Sequence, residues 1–384
     1  MDIALFDSPE IRTQLLPFTF TRPIAAIRVG ILTIQEKWAA HGFTCGYRTE
    51  QYLREKFGDI GTDLIVNGAV CPNQELISAI KELRAGQELV SGELTLAKNS
   101  DGDERIEFFG EFTQIKNTWD IFKYNRKQIE TDFQVLTKGR TSTKVPDPHT
   151  IVYGEENLFI EEGASIKAAI INAENGPVYI GKNTYIHEGA IINGAFALCE
   201  GAHVNMSAKI KGDTTIGPYS KVGGEVSNSV IFGYSNKGHD GFLGNSVIGE
   251  WCNLGADTNT SNLKNNYAEV KLWDYASGRF ANTGLQFCGL MMGDHSKCGI
   301  NTMFNTGTVT GVGANIFGAG FPRNFIPSFS WGGAQGFTTY QLRKFADVAE
   351  AVMKRRGLSY DNVEKGIIQE VFDLTAQYRI WDKS

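Results

Sequence analysis

From Ile180 to Val222 an aliphatic side chain recurs at every sixth residue: Ile180, Ile186, Ile192, Leu198, Val204, Ile210, Ile216 and Val222. Neither a helix, with a period of 3.6, nor a half-buried strand, with a period of 2, produces that spacing. Four residues after the anchors the chain is nearly always small, as at Thr184, Ala190, Ala202, Ala208, Thr214 and Ser220, with Phe196 the exception. A hexapeptide pattern of this kind predicts a parallel β-helix, in which one large aliphatic per short strand fills a narrow axis and the small residue lets the chain turn the corner. The register returns as Phe242, Ile248 and Leu254, and again as Met292, Cys298, Phe304, Thr310 and Ile316. Glycine often follows an anchor directly, as at Gly217, Gly249 and Gly293, where a tight turn favours a residue without Cβ.

Other segments carry other patterns. Residues 1–138 read as an α/β domain: a strand at Ile3–Phe6, a helix around Ile34–Ala40, a strand at Leu64–Val66 and a helix near Gln74–Leu83 alternate as in an open parallel sheet. Residues 139–150 have no periodicity and read as a linker. The β-helix domain occupies 151–336, its repeats running from about Ile151 to Pro327. Two insertions break the repeat, Glu225–Gly241 and Asn259–Leu290, and a solenoid needs neither for stability, so function is expected there. Residues 337–384 form a helical tail. Thr339 is placed to cap a helix with Leu342, Phe345, Ala349 and Val352 on one face, ending at Gly357, and a second helix follows from about Asp361 to Arg379. These helices are expected to pack on the β-helix or a neighbouring subunit, without chemistry of their own.

Composition narrows the function. A chain of 384 residues with 42% hydrophobic content can bury two cores. A net charge of −6, with no basic run beyond Lys354-Arg355-Arg356, excludes a nucleic-acid field, and that triplet reads as the solvated end of a helix. No apolar stretch approaches a membrane span, and Met1-Asp2 leads into a strand-like segment, so no membrane partner and a cytoplasmic location are expected. The six cysteines form no C-x-x-C pair and read as free thiols. His187, His203, His239 and His295 show no zinc-ligand spacing.

The segment Leu16-Pro-Phe-Thr-Phe-Thr-Arg-Pro-Ile-Ala-Ala-Ile-Arg-Val-Gly30 is similar to the phosphate-loop signature of sugar nucleotidyltransferases, and Ile115-Lys-Asn-Thr-Trp-Asp-Ile-Phe122 to a segment near the end of that domain. In the second half, Lys237-Gly-His-Asp-Gly-Phe-Leu-Gly244, Ile248-Gly, Asn253-Leu-Gly-Ala256 and Ser261-Asn262 follow an order and spacing that resemble the bifunctional bacterial N-acetylglucosamine-1-phosphate uridyltransferase/glucosamine-1-phosphate N-acetyltransferases. The resemblance is to a divergent branch with a shortened first domain. It implies an α/β nucleotidyltransferase-like (Rossmann-like) domain, a left-handed parallel β-helix and a homotrimer with acetyl-transfer sites between neighbours. Its substrates would be an amino-sugar phosphate and acetyl-CoA, with UTP and Mg²⁺ at the first domain.

The resemblance assigns roles residue by residue. His239 becomes the general base, which suits an imidazole at neutral pH. Asn253, Gly255 and Ala256 would cradle the acetyl-CoA arm or face the oxyanion. Lys211, Asn262 and Lys264 would hold the sugar phosphate, while Lys221, Lys271 and Arg279 lie on corners or in the long insertion. In the first domain the glycine-rich loop is absent and the metal-binding Gly-Asp reads Asn67-Gly68-Ala69. Arg12, Arg22, Arg28 and Asn117 remain as candidate nucleotide contacts, with Asp120 as candidate metal ligand. The alternative is a non-catalytic sugar-nucleotide-binding regulatory or scaffold protein with a degenerate first domain.

Overall fold

The computed structural model describes every residue except 101, 103, 146 and 384. The chain divides into two compact units, Met1–Arg28 with Leu32–Thr118, and Val29–Ile31 with Trp119–Ser384.

The first unit holds a six-stranded sheet in the order Thr44–Arg48, Asp2–Phe6, Leu64–Asn67, Leu94–Asn99, Gln87–Ser91, Glu104–Glu107. Its first three strands are parallel, as the βα alternation predicts. The expectation of a wholly parallel sheet is corrected beyond that point. Leu94–Asn99 runs antiparallel to both Leu64–Asn67 and Gln87–Ser91. Gly92 adopts φ 57° in the short link at Gly92-Glu93, a conformation that favours glycine in hairpin turns. Helix Ile34–Ala40 starts at Thr33, whose hydroxyl accepts the Glu36 N–H while Glu36 returns the bond, a capping box.

The second unit is a parallel β-helix with three faces. One face has nine strands from Leu158–Ile160 to Phe325–Ile326, and a second has ten, from Ser165–Ile166 to Ser330–Gly333 plus the antiparallel Gly336–Thr339. The third has six, from Ile151–Tyr153 to Phe242–Gly244. The anchors from Ile180 to Val222 are all buried and share one core cluster with Ile248, Leu254, Met292 and Ile316. Phe242 is not an anchor: Leu243 fills the core at 0% exposure while Phe242 stays partly outside.

The expected insertion at Glu225–Gly241 is not one. Glu225–Ser227, Val230–Gly233 and Asn236–Lys237 are regular strands, one on each face. Leu198 stacks on Ile216, eighteen residues on, but Ile216 stacks on Ile231, only fifteen on. The coil has shortened, so its anchors slip out of the sixfold register. The stretch between Thr260 and Leu290 is a true excursion and carries the antiparallel hairpin Lys271–Asp274/Arg279–Asn282, while Asn259–Thr260 and Leu290–Met292 stay in the coils.

The tail helices span Leu342–Lys354 and Asn362–Leu374. Thr339 does not cap the first. It ends the strand Gly336–Thr339, and its hydroxyl bonds the Asp382 carboxylate at 2.6 Å. No helix among the described residues is long and apolar enough to cross a membrane.

Candidate active site

The strand Asn236–Lys237 on the second face pairs with Lys221–Val222 on one side, and Asn236 pairs with Asn253 on the other. Side chains alternate across a strand. Lys221, Asn236, Asn253 and Lys297 therefore face outward in one row, while Val222, Lys237, Leu254 and Cys298 face the core. Immediately after Lys237 the chain turns at Gly238 and presents His239, which is exposed. Two side chains hold this turn. Asn205 Nδ2 donates to the Gly238 carbonyl at 2.7 Å, and Lys237 Nζ donates to the carbonyls of His239 at 2.6 Å and Asp240 at 3.2 Å.

His239 stands on a cleft of about 790 Å³ whose walls include Asn205, Asn236, Asn253, Gly255 and Ala256. Four cations also line it: Lys221, Lys297, Arg355 and Arg356. Among the described residues no aspartate or glutamate does. Arg355 and Arg356 follow the first tail helix, and Arg356 Nη2 lies 3.4 Å from Asn236 Oδ1. His203, which follows the same outward row, is held below the usual imidazole range by burial and by Lys221, His187 and Arg356. Burial also pushes the Lys297 ammonium down; its Nζ donates to the His295 carbonyl at 3.0 Å.

An aromatic column borders the cleft. Tyr219, Tyr234, Trp251 and His295 occupy the same corner of successive coils, all with φ between 52° and 62°. A left-handed backbone costs about 1 kcal/mol or more at a bulky residue. Stacking offsets it: ring centroids lie 5.2, 4.4 and 6.1 Å apart with near-parallel planes. Tyr234 and Trp251 reach the cleft wall.

The structure thus brings His239, Asn253, Gly255 and Ala256 together, and leaves the phosphate candidates elsewhere. Lys211 Nζ pairs with Glu225 at 2.7 Å on the third face. Asn262 Nδ2 bonds Asn245 Oδ1 at 2.8 Å, and Lys264 Nζ bonds the Glu269 carbonyl at 2.8 Å. None of the three is among the residues that line the cleft. The backbone N–H groups of Asn253 and Gly255 donate to Ser296 and Cys298 of the next coil, 3.1 Å each, so they are not open to an oxyanion. The exposed Asn253 side chain is the donor that remains at this position. Sequence reading missed Lys297, Arg355, Arg356 and the aromatic wall. Lys297 was recoverable from its pairing with Asn253, whereas the arginines reach the site by long-range packing.

In the first unit the candidate nucleotide contacts are enclosed by protein. Arg12, Arg22 and Arg28 are buried, at 7%, 5% and 7% exposure. Arg12 pairs with Asp7 at 3.0 Å and donates to Tyr52 and the Arg22 carbonyl, and Arg28 pairs with Glu36 at 3.4 Å. Burial raises the Asp7 carboxyl, opposed by Arg12. Phe18, Thr19 and Phe20 of the phosphate-loop-like segment are buried in short helical turns. Asn117 is half-buried in this unit, and Asp120 is buried in the second, starting the helix Asp120–Lys123. The magnesium that the resemblance implies does not fit these side chains. Among the described residues no three of His, Cys, Asp or Glu gather to hold an ion. In the stretch Asn67-Gly68-Ala69 that replaces the family's Gly-Asp, Asn67 donates to the Thr95 carbonyl and accepts the Ala69 N–H.

Together these features define a class of protein that joins a sugar nucleotidyl transferase segment to a parallel β-helix with a helical tail: residues 3–141 match the sugar nucleotidyl transferase family. More particularly, the chain is similar to bifunctional proteins, as the motifs suggested. It is 28% identical over 214 residues, 55% of this chain and 46% of that protein, to a bifunctional sugar-1-phosphate nucleotidylyltransferase/acetyltransferase of Sulfurisphaera tokodaii. It is 28% identical over 240 residues, 62% and 51% of the two chains, to the bifunctional protein GlmU of Methanocaldococcus jannaschii. With GlmU of Methanococcus aeolicus the figures are 26%, 66% and 60%. The chain thus spans about half the length of the curated relatives it matches. Among solved structures, the polySia-specific acetyltransferase NeuO aligns over 51% of this chain and 85% of its own, at 16% identity and a TM-score of 0.29.

Proposed function

We propose that the second unit transfers an acetyl group from acetyl-CoA to the amine of an amino-sugar phosphate such as glucosamine 1-phosphate. The observation that carries this reading is the cleft itself: an exposed histidine beside four cations and, among the described residues, no lining carboxylate. Such a charge pattern suits substrates that bring phosphates. His239 accepts the proton that the sugar nitrogen gives up as the N–C bond forms, and returns it to the departing thiolate as the C–S bond breaks. Asn253 offers a side-chain amide to the carbonyl oxygen. Lys221, Lys297, Arg355 and Arg356 hold the phosphates. Assembly fits the same reading. Ile151, Ile170 and Ile191 align on the third face at 50%, 36% and 43% exposure, an aliphatic row suited to a second and third copy of the chain in a homotrimer.

For the first unit, the buried and paired Arg12 and Arg28 favour the second reading, sugar-nucleotide binding without brisk uridylyl transfer. A panel of sugar 1-phosphates with acetyl-CoA, and separately with each NTP, tests both halves. N-acetylated product with little pyrophosphate is expected. Pyrophosphate release without acetyl transfer would reverse the assignment.

A further inference from the structure

The core column beneath the second face runs Ile186, Val204, Val222, Lys237, Leu254, Cys298 and Ile316. Lys237 is its one charged member, at 2% exposure. An ammonium among aliphatic side chains is costly to bury, and a leucine or valine there would serve the fold better. The ammonium donates to the carbonyls of His239 and Asp240. The Asp240 carbonyl also receives the Asp257 N–H of the next coil at 3.1 Å. Below the turn, the Lys237 carbonyl accepts the Gly223 N–H at 2.7 Å, so the strand carrying the lysine is itself fixed.

We infer that Lys237 is a positioning residue: it ties the turn that carries His239 to the β-helix core, from inside, and so sets where the imidazole stands in the cleft. The inference rests on the reading of His239 as the general base. A misplaced base loses rate out of proportion to the change in structure. The ammonium does this without touching substrate, because its side chain points away from the cleft, into the column. Asp240, Asp257 and Cys298 are the titratable neighbours that favour its charged form.

The test is Lys237→Leu in the full-length protein, a side chain that matches the column above. Thermal unfolding, hydrogen exchange across residues 238–241, and acetyl transfer to glucosamine 1-phosphate are measured together. The expected result is a melting temperature at or above wild type, exchange in 238–241 faster by roughly tenfold, and kcat lower by roughly tenfold or more with KM for acetyl-CoA moved less than about twofold. Unaltered exchange in 238–241 overturns the inference. So does a drop in melting temperature accompanied by faster exchange throughout the β-helix, which would make the lysine a structural residue. His239→Ala measured alongside separates the two readings. If that variant keeps wild-type turnover, the base assignment fails, while the exchange data still decide whether Lys237 orders the turn.

Discussion

Removing Arg356 perturbs the cleft where the tail meets the β-helix. The side chain is half-buried and its guanidinium lies 3.4 Å from Asn236 Oδ1, which holds it over the outward row of the second face. A charge-assisted hydrogen bond to a phosphate contributes about 1.5–3 kcal/mol, or roughly 10–150-fold in affinity. Arg355 is exposed and more screened, so its share is smaller, about threefold. Calorimetry with coenzyme A needs no knowledge of the sugar. Arg356→Ala is expected to weaken binding about 10–100-fold, Arg355→Ala a few-fold, and Lys354→Ala, whose residue does not line the cleft, less than about twofold. Raising salt should narrow these differences. Wild-type affinity in the Arg355→Ala/Arg356→Ala double variant would refute the assignment of the tail to the ligand.

Three other outcomes follow from the geometry. Ile192 is fully buried between Ile171 and Ile210 of adjacent coils, so Ile192→Ala should lower unfolding free energy in denaturant by about 2–5 kcal/mol. Ile170→Asp with Ile191→Asp should break assembly, seen as a fall in mass by light scattering; an unchanged mass places the interface elsewhere. Burial draws the Lys237 ammonium down to about 8, against 10.5 when unfolded. The folded chain therefore binds fewer protons than the unfolded one between those values. Its penalty is full below pH 8 and fades by about 10.5, so wild type should gain on Lys237→Leu across that window, by at most about 3 kcal/mol. A pH-independent difference between the two contradicts the burial of that charge.

The β-helix was legible because its narrow axis admits one large side chain per strand, which prints a sixfold period on the sequence. The period failed where coil length changed. Between Val222 and Leu254 the core residues are Val226, Ile231, Lys237, Leu243 and Ile248, at steps of four to six, so a regular coil resembled an insertion. A lysine at an anchor position hid the rest, since periodicity counts only apolar residues. Phe242 keeps the sixfold arithmetic while its neighbour Leu243 fills the core. His239 could be read from a motif, but its surroundings could not. Lys221 and Lys297 lie far apart in sequence and meet only through coil stacking. Arg355 and Arg356 reach the cleft because the tail folds back, which leaves no local mark on the triplet Lys354-Arg355-Arg356. In the first unit, Arg12 and Arg28 looked free to bind phosphate because Asp7 and Glu36 do not announce themselves as their partners.

The central claim, that the exposed histidine above the basic cleft performs proton transfer in acetyl transfer, is tested most directly by His239→Ala with glucosamine 1-phosphate and acetyl-CoA. Product formation followed by mass spectrometry should fall by about 10²–10⁴-fold, while calorimetry shows coenzyme A still bound with near wild-type affinity. Turnover that survives the substitution would contradict the account.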